Sequence, residues 1–126
     1  MNKNKLPETL SVFPLSNFII FPQTSVPLNI FEPRYLEMVN DCLKKDRIIG
    51  MIQPKFNKIK SKNSKPDLYS IGCAGKITSF DETEDGRIVL VLSGISRFKI
   101  LKEIDSKKLY RQYEVNFEEF KSDRII

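Results

Sequence analysis

Glu32, Pro33, Arg34 and Tyr35 put a carboxylate, a proline, a guanidinium and a phenol side by side. An acid next to a base can move a proton, hold a charged ligand, or fasten one stretch of backbone to another. Proton transfer near neutral pH usually falls to histidine, and this sequence has none. That absence excludes Ser-His-Asp and Cys-His arrangements within the chain. Cys42 and Cys73 lie far apart and lack histidine partners, so no zinc site of ordinary spacing arises. A Ser-Lys pair is available only in "SKNSKP", a polar stretch that would not bury a lysine and lower its pKa. The four carboxylates of "DETEDG" lack the EF-hand pattern and end in Asp85-Gly86, a hairpin signal. No glycine-rich phosphate cradle is present, and neither a metal nor a cofactor is expected. The Glu32–Tyr35 cluster therefore reads as architecture before chemistry.

The elements that must position it follow from periodicity. Proline suits the first turn of a helix, where its missing N–H has no partner to lose. Beyond Pro33, Tyr35, Leu36, Val39, Cys42 and Leu43 fall on one helical stripe, which predicts a helix over Pro33 to Lys44. Glu32 and Arg34 are expected to hold the start of that helix against neighbouring backbone as a largely buried pair, with Arg97 of "GISRF" nearby.

Upstream, Val26, Leu28 and Ile30 alternate as a half-buried strand does. Val12, Phe13 and Leu15 precede the apolar run at residues 18–21, with Pro14 and Pro22 as punctuation. Downstream come a strand over residues 48–52 and another in "LYSIGCAGKITSF". The small residues Gly72, Ala74 and Gly75 of the latter suit a bulge or a close backbone approach. "RIVLVLSG" and "SRFKILKEI" read as two strands broken at Gly94, and Tyr113, Val115 and Phe117 alternate near the end. Six to eight strands and one good helix predict a mainly β fold of the α+β kind, an antiparallel barrel-like sheet with a covering helix.

At 126 residues the chain, residues 1–126, is one domain by length. Its formal net charge of +5 raises the question of nucleic acid, but much of the excess sits in Lys55, Lys58, Lys60, Lys62 and Lys65. Those lysines fall in an aperiodic loop, residues 54–67, without interleaved aromatic platforms, which reads as a solvated flexible insertion. The N-terminal residues lack the apolar region of a signal peptide, and no run approaches the ~18 apolar residues of a membrane span. Two buried free thiols would suit a reducing cytoplasm.

Four ordered stretches carry a family resemblance: "FPLSNFIIFPQTSVPLNIFEPRY", "RIIGMIQ", "LYSIGCAGKITSF" and "DGRIVLVLSGISRFKI". Together they resemble the amino-terminal, substrate-binding domain of Lon-type ATP-dependent proteases, in its small stand-alone bacterial form. The resemblance implies a PUA-like (pseudouridine synthase and archaeosine transglycosylase) β-barrel. It also implies binding of unfolded or extended polypeptide segments in protein quality control, without cleavage, with protease or adaptor proteins as further partners. Family members continue into a helical region, so a natural short form and a truncated one both fit.

The leading reading is thus a non-catalytic polypeptide-recognition domain. Its contacts are expected at Phe18, Ile19, Phe21, Gln23 and Thr24, a run that would serve equally well as core. An RNA-binding module is the alternative, on basic charge and fold analogy. Lacking a phosphate loop, histidine and a proteolytic domain, the purified chain should hydrolyse neither ATP nor casein. Turnover that co-purified with it through several columns would overturn that expectation.

Overall fold

The computed structural model of the chain describes residues 6–16, 19–55 and 65–124. Strand β1 (Thr9–Pro14) is followed by β2 (Ser25–Ile30), helix α1 (Pro33–Leu43), β3 (Ile48–Ile52), β4 (Ile71–Glu82), β5 (Ile88–Glu103) and β6 (Arg111–Asn116). A short 3-10 segment, Glu118–Arg124, follows them. The sheet order is β2-β5-β4-β3-β1-β6, and β6 also pairs with β5, so β5, β4, β3, β1 and β6 form a closed ring. The mainly β architecture with a packed helix is the one expected from the sequence.

One pair departs from the antiparallel expectation: β1 runs parallel to β3. The chain between them passes through β2 and α1, a crossover long enough to return in the same direction. A second departure is β5, a single strand of 16 residues rather than two strands broken at Gly94. It pairs with β2, β4 and β6 along different parts of its length.

Two buried clusters fill the molecule. One draws Leu10 and Val12 from β1, Ile52 from β3, Ala74 from β4, Phe98 from β5, and Tyr113 and Val115 from β6. The other packs Tyr35, Met38, Val39 and Cys42 of α1 with Leu28 and Ile30 of β2, and with Ile49, Cys73, Ile77, Leu90 and Leu92. Cys73 and Ala74 are neighbours in β4 and belong to different clusters, so the clusters lie on opposite faces of the sheet.

A bulge in β5 serves both faces. Gly75 pairs with Gly94 and Ala74 with Ser96, which leaves Ile95 as the extra residue. One extra residue reverses the alternation. Leu90 and Leu92 therefore join the helix-side cluster, whereas Phe98 joins the other and Arg97 turns to the helix-side face.

Helix α1 begins at Pro33 as expected, but Glu32 supplies no side-chain cap. Its carboxylate instead meets Arg34, 3.0 Å away, with both side chains about half exposed (46% and 55%). The expected buried pair is therefore a surface pair, of the kind worth about 0–1 kcal/mol. Arg34 also lies over the Tyr35 ring at 4.7 Å. The helix is held mainly by its apolar stripe and by Tyr110, whose hydroxyl donates to Asp41 Oδ2 at 2.6 Å. That bond keeps the Asp41 carboxyl below its ordinary pKa.

The expected hairpin joins β4 and β5, with Gly86 at φ +86°. Thr83 N–H donates to Arg87 O at 2.9 Å across it. Of the lysine-rich stretch, Lys58, Lys60 and Lys62 lie outside the described residues.

Where β5 and β6 close the ring, Glu103 receives Arg111 Nε at 3.1 Å and Nη2 at 2.9 Å, and the Tyr113 hydroxyl at 3.0 Å. The Arg111 fork, opposed by partial desolvation, lowers the Glu103 pKa from 4.5 to about 2. A carboxylate whose folded-state pKa is depressed stabilises the fold above its unfolded pKa and loses that contribution as pH falls through the folded value. Replacing Glu103 by Gln should thus cost on the order of 1–3 kcal/mol at neutral pH. The gap from the parent should close between pH 4.5 and about 2. Urea midpoints of the two proteins across that range measure it. A gap independent of pH would show that the Glu103 charge contributes nothing.

Candidate functional site

The apolar run before β2 divides by side. Ile20 is 4% exposed and belongs to the helix-side cluster, whereas Ile19 and Phe21 are 58% and 60% exposed. Hydrophobic side chains are ordinarily drawn inward, so two large ones held outward on one short loop require a mechanical cause.

That cause is the turn at residues 21–24. Thr24 N–H donates to Phe21 O at 3.2 Å, and the Thr24 hydroxyl donates to the same oxygen at 2.7 Å. Gln23 takes a left-handed conformation, φ +65°, to complete the turn. The turn is seated on β5, where Gln23 N–H donates to Gly94 O at 2.8 Å and Gly94 N–H donates to Thr24 O at 2.7 Å. A Cβ on Gly94 would stand 2.1 Å from Phe21 O, so only glycine admits this approach. Gly94 is the seat of the turn, not the break between two strands.

Beneath the turn lies an apolar groove of about 160 Å³. Ile19, Phe21 and Pro22 form one wall, Ile52 and Gln53 at the end of β3 another, and Ile71, Gly72 and Cys73 of β4 the floor. Arg97 stands at its edge. Gly72 lets the backbones close up here, since a Cβ would meet Met51 O at 2.4 Å. Ile71 at the mouth is 46% exposed.

The groove offers little to a reaction. Burial pushes the Cys73 thiol up to about 11, so it stays protonated near neutral pH. Burial raises Cys42 to about 11 as well. Among the described residues no group of histidine, cysteine or carboxylate side chains could hold a metal ion. Arg97 is engaged: its Nε and Nη2 donate to Asp123 Oδ2 and Oδ1, each at 3.0 Å. The bulge turns Arg97 toward the groove and the 3-10 segment brings Asp123 to it. The expected company of Glu32 and Arg34 is not among its partners.

The candidate residues named from sequence thus separate into two places. Ile19 and Phe21 line the groove, while Gln23 and Thr24 build the turn that presents them. Phe18 lies outside the described residues. Glu32, Arg34 and Tyr35 border a different hollow of about 210 Å³, between residues 13–15 and the end of β2. Gly94 and Ile71 were missed. The apolar alternation of Tyr69 and Ile71 was a usable signal for the latter.

The model of the ATP-dependent protease La (LON) substrate-binding domain matches residues 9–125. A Lon protease of Desulfosudis oleivorans is 33% identical over 96 residues, 76% of this chain and 12% of the relative. A Lon protease of Flavobacterium johnsoniae is 30% identical over 110 residues, 87% of this chain and 13% of the relative. The chain therefore spans about an eighth of these relatives. Among solved structures, a Lon N-terminal domain protein from Xanthomonas campestris superposes with a TM-score of 0.68 at 27% identity. The superposition covers 86% of this chain and 59% of that one. The N-terminal domain of a Mycobacterium avium complex Lon protease shares the fold, with a TM-score of 0.62 at 15% identity.

If Gly94 seats the turn, Gly94→Ala should force the backbone of residues 21–24 away from β5. Overpacking of that kind costs about 1–3 kcal/mol. Urea unfolding followed by circular dichroism measures the loss. An unchanged midpoint would show that the turn is not clamped.

Proposed function

We infer the function from one premise: the chain belongs to the family of the ATP-dependent protease La (LON) substrate-binding domain. It is a polypeptide-recognition domain that binds unfolded or extended segments and does not cut them. The observation that carries this reading is the pair Ile19 and Phe21, held outward over an apolar groove by a turn clamped to β5.

Rigid presentation is what makes the pair useful. Apolar surface gains roughly 25 cal/mol per Å² on burial, but a mobile loop would lose much of that in ordering. A turn already fixed by five hydrogen bonds, three within itself and two to Gly94, has little order left to acquire. Recognition by apolar contact and shape demands no particular sequence, which suits a domain meeting many unfolded chains.

The lack of a nucleophile fits binding without cleavage, because the one thiol on the floor is protonated and histidine is absent from the sequence. Protease or adaptor proteins are its natural partners, since bound segments must be passed on. A cytoplasmic setting agrees with the two buried free thiols. No helix among the described residues is long and apolar enough to cross a membrane. The comparisons lend the RNA-binding alternative no support.

The test uses a fluorescent, permanently unfolded protein as probe, followed by anisotropy. Phe21→Ser and Ile19→Ser together should weaken binding about tenfold or more. Stability should stay within about 0.5 kcal/mol, because both side chains are exposed. Undiminished binding would remove the groove from consideration. Binding lost instead in Arg34→Ala would move the site to the hollow at the start of α1.

A further inference from the structure

Resting on that reading, the edge of the groove shows how a segment can be held whatever its polar side chains. Each cation at the border has an acid beside it. Lys55 stands across from Asp67, where Lys55 N–H donates to Asp67 O at 2.6 Å, and Lys99 Nζ lies 3.9 Å from Glu119. Arg97 is the one charged residue among the described residues that line the groove, and its acid is Asp123.

Three contacts fix Arg97. Its Nε and Nη2 donate to Asp123 as a fork, its backbone N–H donates to Asp123 Oδ2 at 2.9 Å, and its guanidinium lies over the Phe120 ring at 4.7 Å. The Asp123 side chain is 9% exposed and that of Arg97 50%. The carboxylate is therefore taken up by Arg97 and shielded from solvent. The other end of the guanidinium, Nη1, has no partner among the described residues. The result is a fixed donor at the groove whose charge is cancelled from behind.

We propose that Arg97 is a specificity-determining contact of the groove, donating from Nη1 to a main-chain carbonyl of the bound segment, and that Asp123 is the positioning residue that keeps the groove indifferent to the segment's charges. A cancelled cation gains little from a carboxylate, which Asp123 repels. A lysine gains little as well, because Asp123 is shielded behind Arg97. A neutral acceptor meets neither obstacle, and every residue of an extended chain supplies one in its carbonyl group. Apolar side chains in the groove and a carbonyl on Arg97 together hold a segment without reading its polar residues.

Three labelled peptides of equal length, alternating Leu with Ser, Asp or Lys, test this by anisotropy at physiological ionic strength, where charges beyond about 8 Å are screened. The parent should bind all three within about twofold. Asp123→Asn keeps an oxygen for the Arg97 backbone N–H but uncovers the positive charge. It should bind Leu-Asp about two- to fivefold more tightly than Leu-Ser, and Leu-Lys more weakly, as one exposed ion pair allows. Asp123→Glu should keep binding equal. Removing the donor as well, in Arg97→Met with Asp123→Asn, should abolish the preference and weaken Leu-Ser about threefold or more. Thermal melts verify the fold of each variant. A parent that prefers one charge, or an Asp123→Asn variant that acquires no preference, would overturn the role of Asp123. Undiminished Leu-Ser binding in the double variant, or Arg97 guanidinium NMR signals of the parent unmoved by Leu-Ser, would overturn the contact at Arg97. Binding of none of the three by the parent, with an oligouridylate bound in a steeply salt-dependent way, would overturn the polypeptide reading itself.

Discussion

Strand β5 must serve three neighbours, and the rest of the molecule follows from how it does so. Its first part pairs with β2, its last with β6, and β4 accompanies nearly all of it. A strand with strict alternation would send Leu90, Leu92 and Phe98 to one face. The extra residue at Ile95 reverses the alternation, so Leu92 meets the helix side while Phe98 fills the ring. The same reversal turns Arg97 outward to the groove. Gly94, next to the bulge, is where a foreign backbone can come within hydrogen-bonding range on the open side. Core packing, the closed ring and the seat of the turn thus share five residues, 94–98.

The polar contacts follow the same division. Where β5 meets β6, Arg111 and Tyr113 converge on Glu103, and Arg111 Nη1 also donates to Pro66 O at 2.8 Å. At the bulge, Asp123 accepts from both the Arg97 backbone and its guanidinium, and Arg124 donates to the buried Ser96 hydroxyl at 2.7 Å. The 3-10 segment therefore has a structural reason to exist. It covers the irregular part of β5, where a bulge leaves backbone and side-chain groups that a regular ladder would have satisfied. Among the described residues no buried side-chain polar atom is left without a partner.

Local signals in the sequence were reliable where one residue type has one physical use. Pro33 marked the first turn of α1, and Asp85-Gly86 marked the hairpin, because no other φ range is open to proline and few residues share glycine's. Gly94 has two uses, and the pattern could not tell them apart: a glycine between two alternating runs looks the same as a break or as a bulge with a close neighbour. The parallel pairing of β1 with β3 was equally hidden, since period two says nothing of direction. The surface position of Glu32 and Arg34 was misjudged because adjacent opposite charges suggest a pair without saying how deep it lies. Residues 19–21 gave the least. Three consecutive apolar residues carry no alternation, and only the turn seated on Gly94 decides that Ile20 goes in while Ile19 and Phe21 stay out.

That decision is what the proposed polypeptide-binding role rests on. A loop free to relax would fold Ile19 and Phe21 against the body of the protein and hide them from solvent. The clamp prevents this: the turn cannot rotate without breaking two hydrogen bonds to Gly94 and three within itself. Each would leave a polar group to be satisfied elsewhere, at a cost that competes with what burying one more apolar side chain returns. The exposed pair is thus kept in place by backbone bonding rather than by any contact of its own. Its apolar surface stays available, and a polypeptide that covers it gains the burial the fold itself forgoes.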